Sequence, residues 1–270
     1  MRTPSGFTDL YSLPLYYDVL HGSGTAKDVR GLARISKAFG AGDTETPVWL
    51  EPACGSGRYL RAAARAGVRT IGFDLEPAMV EYAKALATAD GSKVQTYFVA
   101  DMQDFDRVRR VPKVDFAFNL INTIRHLTSD RAVLDHLAAL ARVLKPGAVY
   151  AVGMSMCAYG HEPEVEDVWR GKAPGLNVLQ NITYIPAVGG RGAGARTERV
   201  LSHLTITRGK GHTAEVEHID STYGLRSYSL AEWNALVAKS DLEAIAVVDE
   251  RGKPTPAPVL GYCIWVLRKQ

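Results

Sequence analysis

One short segment, residues 48–60, restricts the possible folds of this chain more than any other. Its apolar start predicts the end of a buried strand, Glu51 follows directly, and small residues then lead to a helix that begins at Arg58. Gly55 and Gly57 let a ligand approach the backbone closely, and the free amides at the start of the helix face that ligand. A strand, an acidic residue, a glycine turn and a helix together predict one end of a nucleoside-binding crevice.

Two other kinds of glycine turn do not fit this segment. The dinucleotide fingerprint needs a third glycine where this chain has Leu60, and the phosphate-binding P-loop needs a lysine that is missing here. Glu51 would repel a pyrophosphate, but it suits a ligand that carries an ammonium or sulfonium charge. A glycine turn that serves only tight packing is the alternative interpretation.

The following segments continue this pattern. The run 68–73 predicts a second strand that ends at Asp74, where a carboxylate can accept two hydrogen bonds from a ribose diol. The runs 94–99 and 114–118 predict a third and a fourth strand, and 148–152 predicts a fifth. Because helices alternate with these strands, we expect a parallel sheet that is covered on both faces.

The motif Glu51-Pro-Ala-Cys-Gly55-Ser-Gly57 resembles the first motif of the class I S-adenosylmethionine-dependent methyltransferases. Further motifs follow in the order and spacing of that family over about residues 48–155. The resemblance implies an α/β fold with a doubly wound, Rossmann-like, mostly parallel sheet of seven strands, in the order 3-2-1-4-5-7-6, and an antiparallel β insert. It also implies S-adenosylmethionine as the cofactor and S-adenosylhomocysteine as the product.

The resemblance further implies which residues hold the cofactor. Asp74 would bind the ribose, and Asp101 the adenine amino group, with Met102 against the ring. A tyrosine of an amino-terminal cap would reach the amino-acid end of the cofactor; Tyr17 is the better match and Tyr16 the fallback, with a hydrophobic staple for the next helix as the alternative. The predicted set is Tyr16, Tyr17, Glu51, Ala53, Cys54, Gly55, Gly57, Asp74, Leu75, Met79, Asp101, Met102, Asn119 and Leu120.

The pattern along the chain predicts a core interrupted by an insert. Residues 1–40 are expected to form a cap segment and a helix, and 41–156 together with 229–270 the methyltransferase core. Residues 157–228 are expected to form an antiparallel β insert that covers the substrate or mediates oligomerisation, as methyltransferases of small metabolites commonly place one there. This placement rests on analogy with the family.

Within the insert, the runs 178–185, 198–207 and 213–223 predict three strands joined by short, glycine-rich connections. The segments 157–177 and 1–22 are expected to be irregular. The core resumes at a capping box in which a serine caps a helix and a glutamate reaches back to it. These later elements are Ser229 with Glu232, a helix over 230–240, strands over 244–248 and 260–267, and the proline-rich loop 253–258.

Methyl transfer from a sulfonium is an in-line displacement that needs alignment and exclusion of water rather than a metal, and we expect no metal site. The segment after the fourth strand lacks the Asn/Asp-Pro-Pro-aromatic motif of base-amine methyltransferases. His126 is a candidate general base, with Asn122 and Arg125 beside it; fixing the start of the following helix is the alternative role of His126. The candidate acceptor-binding residues in the insert are Tyr184, His203, His218, Tyr223 and Arg226.

Composition limits the choice of partner and compartment. The net charge of +3 is too small to indicate nucleic acid or a membrane surface, and three widely spaced cysteines favour a reduced, cytoplasmic setting. We therefore expect an enzyme that methylates oxygen or nitrogen of a small-molecule acceptor, and the insert is also a candidate homodimer interface. A cofactor-binding scaffold without turnover is the alternative, followed by an RNA or protein methyltransferase. The role of the glycine- and arginine-rich loop 188–196 stays open.

Overall fold

A computed structural model describes residues 10–42, 44–192, 194–209, 211–256 and 261–269. Residues 1–9 of the predicted cap, positions 257–258 of the proline-rich loop and Leu260 of the predicted last strand lie outside the described residues. The helices are α1 Pro14–His21, α2 Thr25–Phe39, α3 Arg58–Arg65, α4 Pro77–Ala89, α5 Phe105–Val108, α6 Asp130–Val143 and α7 Leu230–Val237. None of the described helices is both long enough and apolar enough to cross a membrane.

The strands are β1 Val48–Pro52, β2 Arg69–Asp74, β3 Gln95–Val99, β4 Val114–Asn119, β5 Leu144–Met156, β6 Val165–Ala173, β7 Leu176–Ile185, β8 Thr197–Arg208, β9 Glu215–Arg226, β10 Leu242–Val248 and β11 Gly261–Lys269. Seven of them form one sheet in the order β10-β11-β5-β4-β1-β2-β3. Strands β1 to β5 run parallel, and β11 is antiparallel to both β5 and β10. With β10 and β11 as the sixth and seventh core strands, this is the predicted order 3-2-1-4-5-7-6, which is confirmed.

The central strands are buried because their side chains are apolar on both faces of the sheet. On one face, the ring of Phe73 stacks on Phe105, with 4.5 Å between ring centroids. On the other face, Trp49 packs edge-on against Phe116, with centroids 5.0 Å apart. Two continuous hydrophobic clusters therefore hold helices on both sides, as the alternation of helices and strands predicted.

Local signals in the sequence determine where two of the core helices begin. The predicted capping box is present at α7, since Ser229 Oγ accepts from the amide of Glu232, and Glu232 Oε2 accepts from the amide of Ser229 at 2.8 Å. At α4, Pro77 occupies the first turn and the side chain of Glu76 accepts from the amide of Ala78 at 3.2 Å. These caps satisfy amides that a helix start leaves without partners.

The remaining four strands form a separate antiparallel sheet in the order β6-β7-β8-β9. The three predicted strands of the insert are confirmed, but the prediction of an irregular segment over 157–177 is wrong, because β6 pairs with β7 from Val165 to Ala173. Strand β6 is an edge strand with mostly exposed side chains, so it lacks the apolar alternation by which a strand is predicted from sequence.

The prediction that residues 1–22 are irregular is also corrected, since Pro14–His21 form helix α1. Pro14 stands in the first turn of this helix, where proline is tolerated because no amide bond is lost there. Helix α1 packs on the insert through an apolar cluster that includes Leu20, Val178, Leu204 and Ile206. The stability of α1 therefore comes from tertiary packing, which a local pattern does not reveal.

The contact between α1 and β6 depends on a small residue, which generates a prediction. A Cβ atom added at Gly171 would lie 2.1 Å from the carbonyl oxygen of Val19, and this backbone atom has no freedom to rotate away. Gly171→Ala is expected to lower the free energy of unfolding by about 1–3 kcal/mol. Urea unfolding measures this loss, with the exposed neighbour Lys172→Ala as the control. Equal stability of the two variants would show that α1 does not depend on this contact.

Candidate functional site

The glycine turn after β1 has the backbone geometry that a close approach by a ligand requires. Gly55 and Gly57 have φ angles of 53° and 72°, in the left-handed region that favours glycine, and Ala53 has a φ of 47°. The amide of Cys54 donates to the carbonyl of Phe73 at 2.9 Å, which ties the turn to the end of β2. The turn therefore lies at the carboxyl ends of the parallel strands, where ligands bind in folds of this type.

Two carboxylates lie beside this turn, that of the buried Glu51 and that of the partly buried Asp74. Asp74 Oδ2 accepts from the amide of Gly55 at 2.7 Å, and its Oδ1 accepts from the amide of Glu76 at 3.0 Å. Burial raises the pKa of Asp74, and it raises the pKa of Glu51 well above its ordinary value. Glu51 is only 5% exposed, and its Oε2 has no hydrogen-bond partner within the part of the chain that the structure describes. An orphaned buried acceptor suits a ligand that brings a cation or a hydrogen-bond donor.

Helix α1 covers the glycine turn. A Cβ atom at Gly55 would lie 3.1 Å from Cε1 of Tyr17, so the tyrosine ring rests directly on the turn. Asp18 fixes the helix there, because its Oδ1 accepts from Ser56 Oγ at 2.6 Å and from Arg61 Nη2 at 2.8 Å. The structure thus places Tyr17, rather than Tyr16, on the crevice.

Tyr16 turns away from the crevice toward the insert. Its hydroxyl accepts a hydrogen bond from Arg208 Nε at 3.1 Å, and the Arg208 guanidinium lies over its ring at 5.3 Å from the centroid. Tyr16 therefore serves the contact between α1 and β8, and it does not approach the glycine turn.

The predicted adenine end of the crevice follows β3. Asp101 Oδ1 accepts from the amide of Gln103 at 2.9 Å, which fixes the loop, and Met102 is buried in the main core cluster. Leu75 is 67% exposed beside Asp74, whereas Met79 is buried in α4. The loops after β1, β2 and β3 thus bring most of the predicted cofactor residues to one edge of the sheet.

The segment after β4 is a strained turn. Ile121 and Asn122 have φ angles of 52° and 61°, which are uncommon for residues with a Cβ atom. Tyr262 Oη accepts from the amide of Ile121 at 3.0 Å, and Asn122 Oδ1 accepts from the amide of Ser155 at 2.7 Å. The side-chain amide of Asn122 is therefore engaged by β5, and it holds the turn rather than facing a substrate. Leu120 is buried before it.

Four rings lie close together beside the glycine turn, those of Tyr11, Tyr17, His126 and Tyr223. We call this group of rings the aromatic chamber. Ring centroids of His126 lie 5.3 Å from Tyr11 and 5.8 Å from Tyr223, and those of Tyr11 and Tyr17 lie 6.0 Å apart. The Tyr11 hydroxyl and His126 Nε2 are 3.1 Å apart. Tyr184 packs in the same small cluster as Tyr223. Because Tyr17 also touches Gly55, the chamber and the glycine turn share one wall.

His126 is uncharged at neutral pH. Burial lowers its pKa to about 4, and the positive charge of Arg125 acts in the same direction. A base with so low a pKa is far from the value near the working pH that general-base catalysis favours. The alternative role at the helix start is not supported either, since the cap of α6 is Ser129, whose Oγ accepts from the amide of Ala132 at 3.1 Å.

Arg125 joins the core to the insert. Its guanidinium is buried, lies 3.2 Å from Glu198 Oε2, and donates to the carbonyl of Arg226 at 2.8 Å and to Ser227 Oγ at 3.1 Å. Arg125, which was predicted to be catalytic, thus uses its guanidinium to bind β8 and the end of β9. It positions the insert over the segment that carries His126.

Three of the predicted acceptor-binding residues are not brought to the chamber. His203 lies between the buried Ser202 and Leu204 on β8, and since side chains alternate along a strand, it faces away from the core. Its Nδ1 lies 2.6 Å from Asp220, and its ring stacks on that of His218 at 5.2 Å. The third residue, Arg226, pairs with Asp130 at 2.6 Å and fastens the insert to α6.

Sequence reasoning missed several residues that the structure places at the site: Tyr11, Asp18, Arg61, His136 and Glu198. Arg61 lies one turn into α3, so its spacing from the glycine turn was an available signal. The other contacts join segments that are far apart in the chain, and a single sequence carries no signal for them.

Comparison with known proteins agrees with this geometry. Residues 50–147 match the family described as a methyltransferase domain. A search of curated proteins finds no relative that matches. The matched residues span the strands and loops that carry the glycine turn, the two carboxylates and the strained turn.

Three solved structures are similar over almost the whole chain. An S-adenosylmethionine-dependent methyltransferase from Clostridium acetobutylicum has a TM-score of 0.67 and 12% identity, covering 97% of this chain and 99% of its own. An S-adenosylmethionine-bound amino pentose methyltransferase from Micromonospora echinaspora has a TM-score of 0.65 and 17% identity, with 100% of both chains covered. A sugar N-methyltransferase from a Streptoalloteichus species has a TM-score of 0.65 and 20% identity, covering 100% of this chain and 97% of its own. At these identities the likeness shows the fold, which is that of class I S-adenosylmethionine-dependent methyltransferases.

The ion pair at Arg125 generates a prediction. Arg125→Leu leaves the carboxylate of Glu198 without its cation in a mostly buried place, and we expect the free energy of unfolding to fall by about 3–5 kcal/mol. Urea unfolding measures the loss. The control is Arg131→Ala, which removes an exposed pair with Asp135 on α6. A loss no larger than that of the control would show that this pair does not dock the insert.

Proposed function

We propose that this chain, which contains a methyltransferase domain over residues 50–147, transfers a methyl group from S-adenosylmethionine to an amine nitrogen of a small, hydroxylated molecule. The observation that carries the proposal is the shared wall at Tyr17, which touches Gly55 on one side and the aromatic chamber on the other. Because both sites border Tyr17, under this proposal the methyl group and the acceptor nitrogen come together at the edge of its ring, in the direct contact that an in-line displacement requires.

The residues around the glycine turn fit the cofactor. Under this proposal Asp74 binds the ribose hydroxyls, Asp101 the adenine amino group, and Glu51, whose buried Oε2 lacks a described partner, the positively charged amino-acid end. A side chain at Gly55 would press on the ring of Tyr17, so the glycine keeps this ring close to the turn. When bound, the cofactor supplies an electrophilic methyl group on a sulfonium. The chain's own residues then have to align the acceptor and exclude water.

Nitrogen is favoured over oxygen because of the proton that must leave. An alcohol is a poor nucleophile without a strong base, and the low pKa of His126, about 4, makes it a weak one. A neutral amine attacks with its own lone pair and needs a base only afterwards, when water can take the proton. His126 Nε2 and the Tyr11 hydroxyl lie 3.1 Å apart, and we propose that the amine joins this pair by donating a hydrogen bond to a lone pair of the hydroxyl oxygen.

The chamber also suits the positive charge of an amine. Aromatic faces attract ammonium groups; Tyr11 and Tyr223 flank the imidazole, and Tyr17 lies beside Tyr11. Burial raises the pKa of Tyr17 to about 12, so its hydroxyl stays protonated and can donate to the acceptor's hydroxyls. The sugar N-methyltransferase and the amino pentose methyltransferase among the similar structures support the same class of acceptor.

The insert and the cysteines bear on where the acceptor binds and in which compartment the protein works. Helix α1 and the insert close over the chamber, so we propose that the insert serves as the acceptor cover. Cys54, Cys157 and Cys263 are free, buried thiols, which fits a reducing cytoplasm. A homodimer through the insert and the absence of a nucleic-acid partner stay predictions.

Calorimetric titration with S-adenosylhomocysteine, with NAD as the control ligand, tests the cofactor assignment. We expect micromolar binding of the former only, about −8 kcal/mol. Labelled S-adenosylmethionine is then offered with small hydroxylated amines and with their hydroxyl analogues, and label is expected on the amines alone. Cofactor binding without transfer to any amine would favour the scaffold alternative, and transfer to the hydroxyl analogues would overturn the nitrogen assignment.

Asp74→Ala is expected to weaken binding of S-adenosylhomocysteine by about 1.5–3 kcal/mol, the range for hydrogen bonds to charged groups. The variant loses the ribose contacts and also the carboxylate that holds the amide of Gly55. Calorimetry measures the loss. The matched control is Asp90→Ala at the end of α4, where the carboxylate pairs with Arg65 on the surface. Unchanged affinity in the Asp74 variant would remove the ribose assignment.

The pH dependence of kcat/KM is expected to follow the acceptor rather than the enzyme. Above about pH 5 the imidazole of His126 is already neutral, because its pKa is about 4, so its state does not change through neutral pH. The rising limb of the profile then reports deprotonation of the free acceptor amine, and it moves when an amine of different pKa is used. A rising limb whose midpoint pH is the same for all acceptors would indicate an enzymatic base instead.

A further inference from the structure

A chain of buried side chains runs beneath the crevice and joins two of its loops. His136 on α6 places Nδ1 3.0 Å from the carbonyl oxygen of Met102 and Nε2 3.2 Å from the Tyr150 hydroxyl. That hydroxyl lies 2.7 Å from Asn119 Oδ1, and the amide of Asn119 donates to the carbonyl of Pro52. All three side chains are at most 1% exposed. One end of the chain is the loop after β3, and the other is the last residue before the glycine turn.

The hydrogens available along this chain do not fill every link at neutral pH. Burial lowers the pKa of His136 to about 4, so the ring carries one N–H, which can donate to Met102. Tyr150 then has a single hydrogen for two acceptors, His136 Nε2 and Asn119 Oδ1. The side-chain amide of Asn119 donates to the carbonyl of Pro52. One acceptor is therefore always short of a hydrogen, which costs stability in a dry interior.

Apolar side chains would fill this space without that cost. His136 is surrounded along α6 by Val133, Leu137 and Leu140, all fully buried in the same core cluster. Replacing buried polar groups by well-packed apolar ones is often neutral or stabilising. The stability of the fold therefore does not explain why these hydrogen-bonded side chains are present. Its two ends explain it better, because each holds a backbone carbonyl of a loop that faces the cofactor site.

We propose that His136, Tyr150 and Asn119 are positioning residues that set the spacing between the loop at Met102 and the glycine turn after Pro52. This inference rests on the proposed function, since it assigns the two loops to the two ends of one ligand. The chain then selects ligands that span both loops. A ligand that occupies only the adenine and ribose end is indifferent to that spacing.

The test compares two ligands on one variant. Tyr150→Phe keeps the ring and removes the hydroxyl that joins His136 to Asn119. We expect it to weaken binding of S-adenosylhomocysteine about tenfold, while binding of adenosine changes less than about twofold. Calorimetry with both ligands on wild type and variant gives the two ratios. Equal loss for both ligands, or no loss for either, would overturn the proposal.

Matched variants separate positioning from general destabilisation. Tyr159→Phe also removes a tyrosine hydroxyl with two partners, Ser227 and Glu232, but these lie between core and insert. It is expected to lose stability without changing the ratio of the two affinities. His136→Leu removes the link to the carbonyl of Met102 and replaces Tyr150→Phe as the test variant if the latter does not fold. The double variant of His136 and Tyr150 is expected to lose no more affinity for S-adenosylhomocysteine than either single variant.

The two proposals fail in distinguishable ways. If wild-type protein does not bind S-adenosylhomocysteine, the proposed function fails and this inference falls with it. If wild type binds but Tyr150→Phe binds both ligands as wild type does, the function stands and only the positioning role is lost. Additive losses in the double variant would mean that the residues do not act as one unit.

Discussion

The carboxylate of Asp74 is the constraint on which the rest of the site depends. It accepts from the amide of Gly55 in the glycine turn and from the amide of Glu76 before α4, so one side chain ties the ends of two strands to the start of a helix. Burial opposes its charge and raises its pKa, and the two backbone amides offset part of that cost. Once the turn is fixed, Tyr17 has a surface to rest on, and Asp18 can reach Ser56 and Arg61 to hold α1 in place.

The cover of the site is fastened by charge rather than by apolar packing alone. Arg125 joins the strained turn region to Glu198, and Asp130 on α6 receives both Arg196 and Arg226 from the insert. These contacts fasten the insert to the segment between β4 and α6 and to the start of α6. The strained φ angles at Ile121 and Asn122 persist because Tyr262 and Ser155 hold the turn from the strands beside it. A rigid wall of this kind suits a reaction that depends on alignment.

The core could be predicted from sequence because its signals are local: apolar strand runs, an acid after each of the first two strands, glycines with left-handed φ, and a capping box. Helix α1 and strand β6 could not, since α1 is stabilised by the insert and β6 exposes most of its side chains. The aromatic chamber was found only in part. His126 and Tyr223 were identified, but Tyr11 joins them from more than a hundred positions away, and Tyr150 reads as one more core aromatic. His203 and His218 were misplaced because strand alternation does not say which face meets the core.

The insert leaves the core after Met156 and returns before Ser229, and the two crossing points are joined directly by a hydrogen bond from the amide of Cys157 to the carbonyl of Tyr228 at 2.9 Å. Because the ends of the insert meet, the cofactor-binding sheet closes across this junction whatever lies between them, and the entropy of closing a longer loop rises only slowly with its length. The same core can therefore accept covers of different size and sequence. Under the proposed function, choice of acceptor and use of donor are then separable in evolution, because they belong to two parts of one chain that meet at a single junction.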